Sequence, residues 1–142
     1  MDARILQEPI HHLDPPLADR VNVEVPLADA IAQMQKVTSE HYRGTGALLI
    51  TQKGKLTGII TERDLVRRVI SQKRDIKCLT AGQVMTAQPE TLTAEDPIAF
   101  ALNLMHLGHY RHIPLVDEEN EPVGIITSKD IIKYISQFIK SI

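Results

Sequence analysis

The chain has 142 residues, of which 43% are hydrophobic and 24% are charged, a balance typical of compact globular proteins and not of disordered or fibrous chains. Sixteen Lys and Arg against eighteen Asp and Glu give a net charge of −2, which provides no basic field for holding a nucleic-acid backbone. A single cysteine, Cys78, excludes an internal disulfide, and no apolar run approaches the roughly 20 residues of a membrane-spanning helix. We therefore expect a cytoplasmic protein that binds neither nucleic acid nor a membrane.

An internal repeat organises the chain. Shifting the sequence by 66 positions places residues 46–70 on residues 112–136 without a gap. Identical residues in this alignment are Leu49 and Leu115, Gly58 and Gly124, Ile59 and Ile125, Ile60 and Ile126, Thr61 and Thr127, and Asp64 and Asp130. These identities lie within one matching hydrophobic pattern, which indicates a duplicated structural unit.

The first unit has the pattern of a helix followed by a hairpin and a second helix. Apolar residues recur at helical spacing at Leu27, Ile31 and Met34. The apolar runs 47–50 and 58–60 are suited to buried strands, and residues 53–55 between them have turn chemistry. After Thr61 the apolar period changes to 3.6, which predicts a helix with one apolar face: Leu65, Val69 and Ile70.

The second unit repeats this order. Residues 98–105 have a helical pattern, and the predicted strands 113–116 and 124–126 flank a turn at 119–121. The helix after Thr127 has an apolar face formed by Ile131, Ile135 and Phe138. The first helix and the first strand are closer together here, so the first unit carries a five-residue insertion around residues 39–46.

These patterns predict an α/β fold of two β-α-β-β-α units. A single unit of about 60 residues would have a marginal core, so the two units are expected to pack against each other. The first unit with an N-terminal arm is predicted to span residues 1–72, a polar linker residues 73–80, and the second unit residues 81–142.

The sequence resembles a tandem pair of CBS domains, the regulatory module also called a Bateman module. Four segments carry the resemblance: Gly58-Ile-Ile-Thr-Glu-Arg-Asp64, Gly124-Ile-Ile-Thr-Ser-Lys-Asp130, Val84-Met85-Thr86 followed by Pro89, and Tyr110-Arg-His-Ile-Pro-Leu-Val-Asp117. The resemblance implies two repeats paired about a pseudo-twofold axis. It also implies two clefts for AMP, ADP, ATP or related adenosyl compounds, bound as regulatory ligands and not as catalytic cofactors.

The motif shared by the repeats has chemistry suited to a nucleotide. Thr61 ends a strand and begins a helix, so its hydroxyl and the following N–H groups can face a phosphate at the positive end of the helix. Asp64 can accept hydrogen bonds from ribose hydroxyls, and Arg63 adds a cation. The second copy provides the same groups at Thr127, Lys129 and Asp130.

The same motif is also a capping box, which needs no ligand. In that interpretation Thr61 caps the helix and Asp64 accepts a hydrogen bond from the threonine N–H. Thr127 and Asp130 would form the same cap in the second copy. The local pattern leaves the ligand-binding and capping interpretations open.

The two copies differ in the residues around them. Arg111 and His112 precede the first strand of the second repeat, where the resemblance places basic residues that reach phosphate, whereas the matched Thr45 and Gly46 are uncharged. We therefore expect the Asp130 site to bind phosphate better.

The resemblance also implies an adenine pocket beside each aspartate. For Asp64 the pocket is expected from Val84, Met85 and Thr86, and for Asp130 from residues 17–21. A Met-Thr pair is missing from the latter stretch, and Pro114 completes the predicted nucleotide-binding set.

Metal binding and catalysis are not predicted. His106, His109 and His112 have a spacing that fits one helical face, but Gly108 and the following strand should make their side chains diverge. Cys78 has no base that the sequence places beside it, and no serine lies in a nucleophile motif. We expect a protein that is not an enzyme.

Two functions follow as hypotheses. One is an adenosine-nucleotide sensor that acts on an unidentified partner protein and has an aspartate directed into a cleft. The other is a ligand-free structural dimerisation or interaction module, in which Asp64 and Asp130 are bonded to their own helix ends.

A homodimer is expected because residues 130–142 carry more apolar surface than one intrachain face can bury: Ile131, Ile132, Ile135, Phe138, Ile139 and Ile142.

Overall fold

The computed structural model describes residues 3–35, 46–108 and 110–140 and confirms the predicted α/β class. Two compact units are present, and they are named here by their motif aspartates. The Asp64 unit is Ala18–Pro89, and the Asp130 unit combines Met1–Leu17 with Glu90–Ile142. The N-terminal arm therefore belongs with the second sequence repeat. Most of the predicted insertion around residues 39–46 lies outside the described residues.

The Asp64 unit is built on a four-stranded sheet of order β1-β2-β3-β4, in which β1 is parallel to β2 and the other pairs are antiparallel. Its strands are β1 (Arg20–Asn22), β2 (Ala47–Gln52), β3 (Lys55–Thr61) and β4 (Thr86–Ala87). Its α-helices are α1 (Leu27–Met34), α2 (Glu62–Leu65) and α3 (Ala81–Val84), with a π-helical turn at Val66–Ile70 and a 3-10 turn at Ile76–Cys78.

The Asp130 unit has an antiparallel hairpin of β5 (His112–Val116) and β6 (Pro122–Thr127). Its α-helices are α4 (Ile98–Gly108) and α5 (Ser128–Lys140), and 3-10 helices form at Ala3–Gln7 and Ile10–Leu13. A parallel bridge joins Leu92 to Leu115 in β5. None of the helices within the described residues is long and apolar enough to cross a membrane.

Each unit includes a flanking segment that is distant in sequence from its hairpin. In the Asp64 unit this segment is residues 80–87, and Thr80 bridges to Pro26 just before α1. In the Asp130 unit it is residues 9–16, and Pro9 bridges to Pro97 just before α4. The two flanking segments therefore occupy equivalent places in the two units.

The hairpin registers correct the gapless alignment of the repeats. Ala47 pairs with Thr61, whereas His112 pairs with Thr127. Because the two threonines are equivalent, His112 corresponds to Ala47 and not to Gly46. The physical reason is the length of the connection, since 14 residues lie between the paired His112 and Thr127 but 13 lie between the paired Ala47 and Thr61.

Each unit has its own apolar core. In the Asp64 unit it consists of Leu27, Ala30, Leu48, Ile50, Ile60, Val69, Ala81 and Val84. In the Asp130 unit it consists of Ile10, Leu13, Ile98, Ala101, Ile113, Leu115, Ile126 and Ile131. Both cores include apolar residues of the flanking segment, so each segment is part of its unit and not a loose linker.

The helix after Thr61 departs from the predicted apolar face. The backbone N–H of Ser71 donates to the Val66 carbonyl at 2.8 Å, a wide i to i−5 bond. Val69 is buried, but Ile70 is 63% exposed, so its predicted place on the buried face is wrong. The widened turn changes the direction of side chains at the end of this helix.

Candidate functional site

The Asp64 carboxylate caps its own helix with one oxygen. Asp64 Oδ2 accepts from the Thr61 backbone N–H at 2.9 Å and from Thr61 Oγ1 at 3.1 Å. The Asp64 backbone N–H donates in return to Thr61 Oγ1 at 3.2 Å. The capping box is therefore formed, as the structural interpretation of the motif predicts.

The other oxygen of Asp64 faces the flanking segment. Thr86 Oγ1 donates to Asp64 Oδ1 at 3.0 Å, and Arg68 Nε lies 3.8 Å from the same oxygen. The Asp64 side chain remains 13% exposed. The structure thus places the carboxylate between its helix cap and the residues predicted to line an adenine pocket.

Gly58 allows this close approach of the flanking segment. Strand β4 pairs with β3, with Thr86 opposite Ile59 and Ala87 opposite Gly58. A Cβ atom at Gly58 would overlap Met85 Sδ and would lie 3.0 Å from the Thr86 carbonyl oxygen. Met85 therefore packs directly on the glycine face of β3, next to the motif that ends this strand.

Arg68 is a site residue that the sequence analysis missed. Its Nη1 donates to the Met85 carbonyl at 2.6 Å and to the Val84 carbonyl at 3.1 Å. The sequence could have indicated this role, because Arg68 follows Asp64 by four residues and such a pair shares one face of a helix. Arg63, which was predicted to face phosphate, lies on the exposed surface of α2.

Asp130 forms the same cap at the start of α5. Its Oδ2 accepts from the Thr127 backbone N–H and from Thr127 Oγ1, both at 2.9 Å. The Asp130 N–H donates to Thr127 Oγ1 at 3.3 Å, and the residue is buried. The helix cap is thus common to both units.

One basic residue, His112, lies across the hairpin from the start of the Asp130 motif. His112 is half-buried and is the cross-strand partner of Thr127 in the β5–β6 hairpin. The side chains of both residues therefore lie on the same face of the hairpin. Arg111, which precedes His112, and Lys129, which follows Thr127 by two residues, are both exposed. Pro114 is buried within β5, opposite Ile125.

The segment beside β6 is Pro15–Pro16, whereas most of the predicted stretch 17–21 belongs to the Asp64 unit. The Ile125 N–H donates to the Pro16 carbonyl at 3.1 Å, and a Cβ at Gly124 would lie 3.2 Å from the same oxygen. Arg20–Asn22 instead forms β1 and pairs with β2. By position, Pro16 corresponds to Thr86, but proline has no hydroxyl to offer an aspartate.

Tyr134 stands at the position of Arg68 in the second repeat. Its ring packs edge-on against Phe138, with ring centres 5.1 Å apart. Burial raises the pKa of the Tyr134 phenol, and the nearby Glu8 carboxylate raises it further. The two units therefore place a cation and a neutral ring at equivalent positions.

The remaining candidates do not form a site in the described part of the chain. His106 is exposed on α4, and His109 lies outside the described residues. No group of three or more metal-ligating side chains that could hold an ion occurs among the residues described. The exposed Cys78 thiol donates to Asp75 Oδ2 at 3.6 Å, and the charge of that carboxylate, followed by this bond, raises the pKa of the thiol.

Comparison with known sequences defines the family. The chain matches the CBS domain family over residues 9–71 and again over residues 81–137. The chain belongs to this family, and the two matches confirm the pair of CBS repeats.

Curated relatives include longer proteins. The CBS domain-containing protein CBSCBSPB5 of Arabidopsis thaliana is 36% identical over 60% of this chain but 15% of its own length. The mitochondrial CBS domain-containing protein CBSX3 of the same plant is 32% identical over 74% of this chain and 52% of its own length. The chain thus spans between about a seventh and a half of these two relatives.

Solved structures share the fold. The CBS domain pair of protein MJ0100, in complex with 5′-methylthioadenosine and S-adenosyl-L-methionine, is 24% identical with a TM-score of 0.74, covering 89% of this chain and 98% of that one. A CBS domain protein from Pyrobaculum aerophilum complexed with AMP is 19% identical with a TM-score of 0.72, covering 86% and 88%. At these identities the likeness establishes the α/β CBS-pair fold alone.

Proposed function

We propose that the protein is a regulatory module that binds an adenosine nucleotide of the AMP, ADP or ATP type and acts on a partner protein without catalysing a reaction. The proposal rests on the different partners of the two carboxylate oxygens of Asp64. Oδ2 accepts the helix-cap bonds, while Oδ1 accepts one hydroxyl, from Thr86. A carboxylate oxygen has two lone pairs, so a ribose hydroxyl can share or replace that bond.

The neighbouring structures support the chemical class of the ligand. One contains AMP and the other contains two adenosyl compounds, and both share the fold of this chain. Thr61 and Thr127 each precede a helix, whose positive N-terminal end is suited to phosphate. We further propose that the Asp130 site binds phosphate better, because His112 lies across from Thr127 while the uncharged Ala47 lies across from Thr61.

A second candidate function is a structural module that binds no nucleotide. The formation of both helix caps favours it, because each aspartate is bonded to its own helix end. Both candidates involve a homodimer, for which the exposed apolar residues on α5 are the support: Ile132, Phe138 and Ile139. We place either module in the cytoplasm, as the single cysteine suggests.

A thermal-shift series separates the two candidates. Micromolar affinity corresponds to about −8 kcal/mol, and ligand at a hundredfold excess over its dissociation constant adds about 2.7 kcal/mol of stability. We expect AMP, ADP or ATP to raise the melting temperature by several degrees. S-adenosylmethionine tests the adenosyl class, and guanosine monophosphate is the control for the base. If all the adenosine compounds leave the melting temperature unchanged at millimolar concentration, the structural candidate is preferred.

A further inference from the structure

Arg68 joins two parts of the Asp64 unit that are distant in sequence. Its Nη1 donates to the carbonyls of Val84 and Met85 at 3.1 and 2.6 Å. These carbonyls lie at the end of α3, where a helix leaves its last acceptors without helical partners. Bonds from a guanidinium to such acceptors are charge-assisted and therefore strong.

The same side chain lies beside the motif carboxylate. Arg68 Nε is 3.8 Å from Asp64 Oδ1, the oxygen that accepts the Thr86 hydroxyl at 3.0 Å. One guanidinium thus contacts the backbone on the N-terminal side of Thr86 and lies near the acceptor that Thr86 uses. These contacts of the Arg68 guanidinium restrain the distance between the flanking segment and Asp64.

We propose that Arg68 is a positioning residue for nucleotide binding at the Asp64 site. It holds residues 84–86 beside Asp64, so that Met85 and Thr86 are already in place when an adenosine ligand arrives. This inference rests on the proposed function, because it assigns Arg68 a role in that same site. Restricting a binding segment before the ligand arrives reduces the ordering cost of binding.

The Asp130 unit has different residues at the positions of Arg68 and Thr86. Tyr134 takes the place of Arg68 in the Asp130 unit and packs on Phe138, while Pro16 takes the place of Thr86. Arg68 also lies in the π-helical turn Val66–Ile70, a feature that often marks functional sites and that α5 does not share. The Asp130 site therefore serves as an internal reference that loss of Arg68 should leave unchanged.

The first test uses the ligand-free protein. Hydrogen exchange of the amides in residues 84–88 is measured in wild type, Arg68→Met and Arg67→Met. Arg67→Met is the matched control, since it removes the same charge from an exposed neighbour. We expect Arg68→Met to speed exchange in this segment by about tenfold, because the segment opens more often. Unchanged exchange would overturn the positioning role whether or not the protein binds a nucleotide.

The second test titrates AMP and follows its protection of residues 84–88, a readout local to the Asp64 site. Arg68→Met should weaken AMP binding there by about tenfold, and Arg68→Lys should restore part of the loss because an ammonium can reach one carbonyl. Thr86→Val combined with Arg68→Met should lose less than the two single losses predict, since both residues hold the same segment.

The outcomes separate this inference from the proposed function. If AMP protects residues 84–88 equally in wild type and Arg68→Met, the positioning role is wrong and the binding function stands. If Arg68→Met speeds exchange but AMP protects no segment of wild type, the proposed nucleotide function is wrong, and the role of Arg68 in ligand binding falls with it.

Discussion

The two units build the same helix cap in different surroundings. Asp64 and Asp130 each bond to the preceding threonine through Oδ2. Beside Asp64 lie the hydroxyl of Thr86 and the guanidinium of Arg68. In the Asp130 unit, Pro16 lies beside β6 and His112 lies across from Thr127. The helix cap formed by the threonine and the aspartate is therefore shared, whereas the residues around it differ between the two units.

The helix cap at Asp64 does not exclude a second role for its carboxylate. Capping and ligand binding are alternatives only if the carboxylate acts as a single acceptor. At Asp64 its two oxygens face different partners, so one can stabilise the helix while the other receives a ligand. A change at the aspartate should consequently affect both stability and affinity.

The largest expected effect concerns the exposed apolar residues of α5. Ile132 on α5 is 66% exposed, and Phe138 and Ile139 extend the same exposed apolar set. Ile132→Ser should weaken the proposed homodimer by about 2 to 4 kcal/mol, since roughly 1 to 2 kcal/mol of burial is lost in each copy. Light scattering over a dilution series should detect this as a mass falling from twice 15.9 kDa toward 15.9 kDa.

The control for this variant is Val123→Ser, on β6 of the same unit and 39% exposed. It removes an apolar side chain that is not on a helix, and it should leave the mass unchanged. Wild-type protein with the mass of one chain at tens of micromolar would contradict the homodimer itself.

The next effect compares the two aspartates directly. Asp130→Ala should abolish or weaken the tighter nucleotide site by about 1.5 to 3 kcal/mol, a ten- to hundredfold loss, because a hydrogen-bonded carboxylate is removed. Asp64→Ala should affect a weaker site. Each variant should also lose about 1 kcal/mol of stability without ligand, because each loses its helix cap.

Calorimetric titration of AMP and chemical unfolding of both variants measure the two effects separately. A loss of stability with full retention of affinity would show that the aspartates are caps only. Loss of the tight site in Asp64→Ala but not in Asp130→Ala would reverse the ranking of the two sites.

Local features of the fold could be predicted from the sequence. Lys53 and Gly54 have φ angles of 54° and 79°, as a two-residue hairpin turn requires, and the apolar runs on either side form β2 and β3. The helices after Thr61 and Thr127 begin where the change of period predicts. These features depend on residues within one turn or one strand of each other.

The features that were missed depend on distant residues or on a single extra residue. Nothing in the sequence near Pro16 indicates that its carbonyl accepts from Ile125, more than a hundred residues away. A gapless alignment cannot place the longer loop of the second hairpin, so it shifts His112 by one position. The contact of Arg68 with Met85 needs both the widened helical turn and the pairing of β4 with β3.

The smallest expected effect compares the two strand glycines that face the flanking segments. A Cβ at Gly58 would overlap Met85 Sδ, lie 2.8 Å from Met85 Cγ and lie 3.0 Å from the Thr86 carbonyl oxygen. The thioether can move, but the carbonyl belongs to the backbone of β4, so Gly58→Ala should cost about 1 to 2 kcal/mol through overpacking. It should also weaken nucleotide binding at the Asp64 site, because Met85 must leave its position.

Gly124→Ala is the matched variant in the other unit. Its Cβ would lie 3.2 Å from the Pro16 carbonyl oxygen, and the next atoms are 3.7 and 3.8 Å away, so a shift of a few tenths of an ångström relieves the contact. We expect a loss below about 1 kcal/mol in urea unfolding. An equal or greater loss for Gly124→Ala would mean that Pro15–Pro16 is held as rigidly against β6 as Met85–Thr86 is against β3. The contrast between Arg68 in the Asp64 unit and Tyr134 in the Asp130 unit would then have no effect on how tightly the two flanking segments pack.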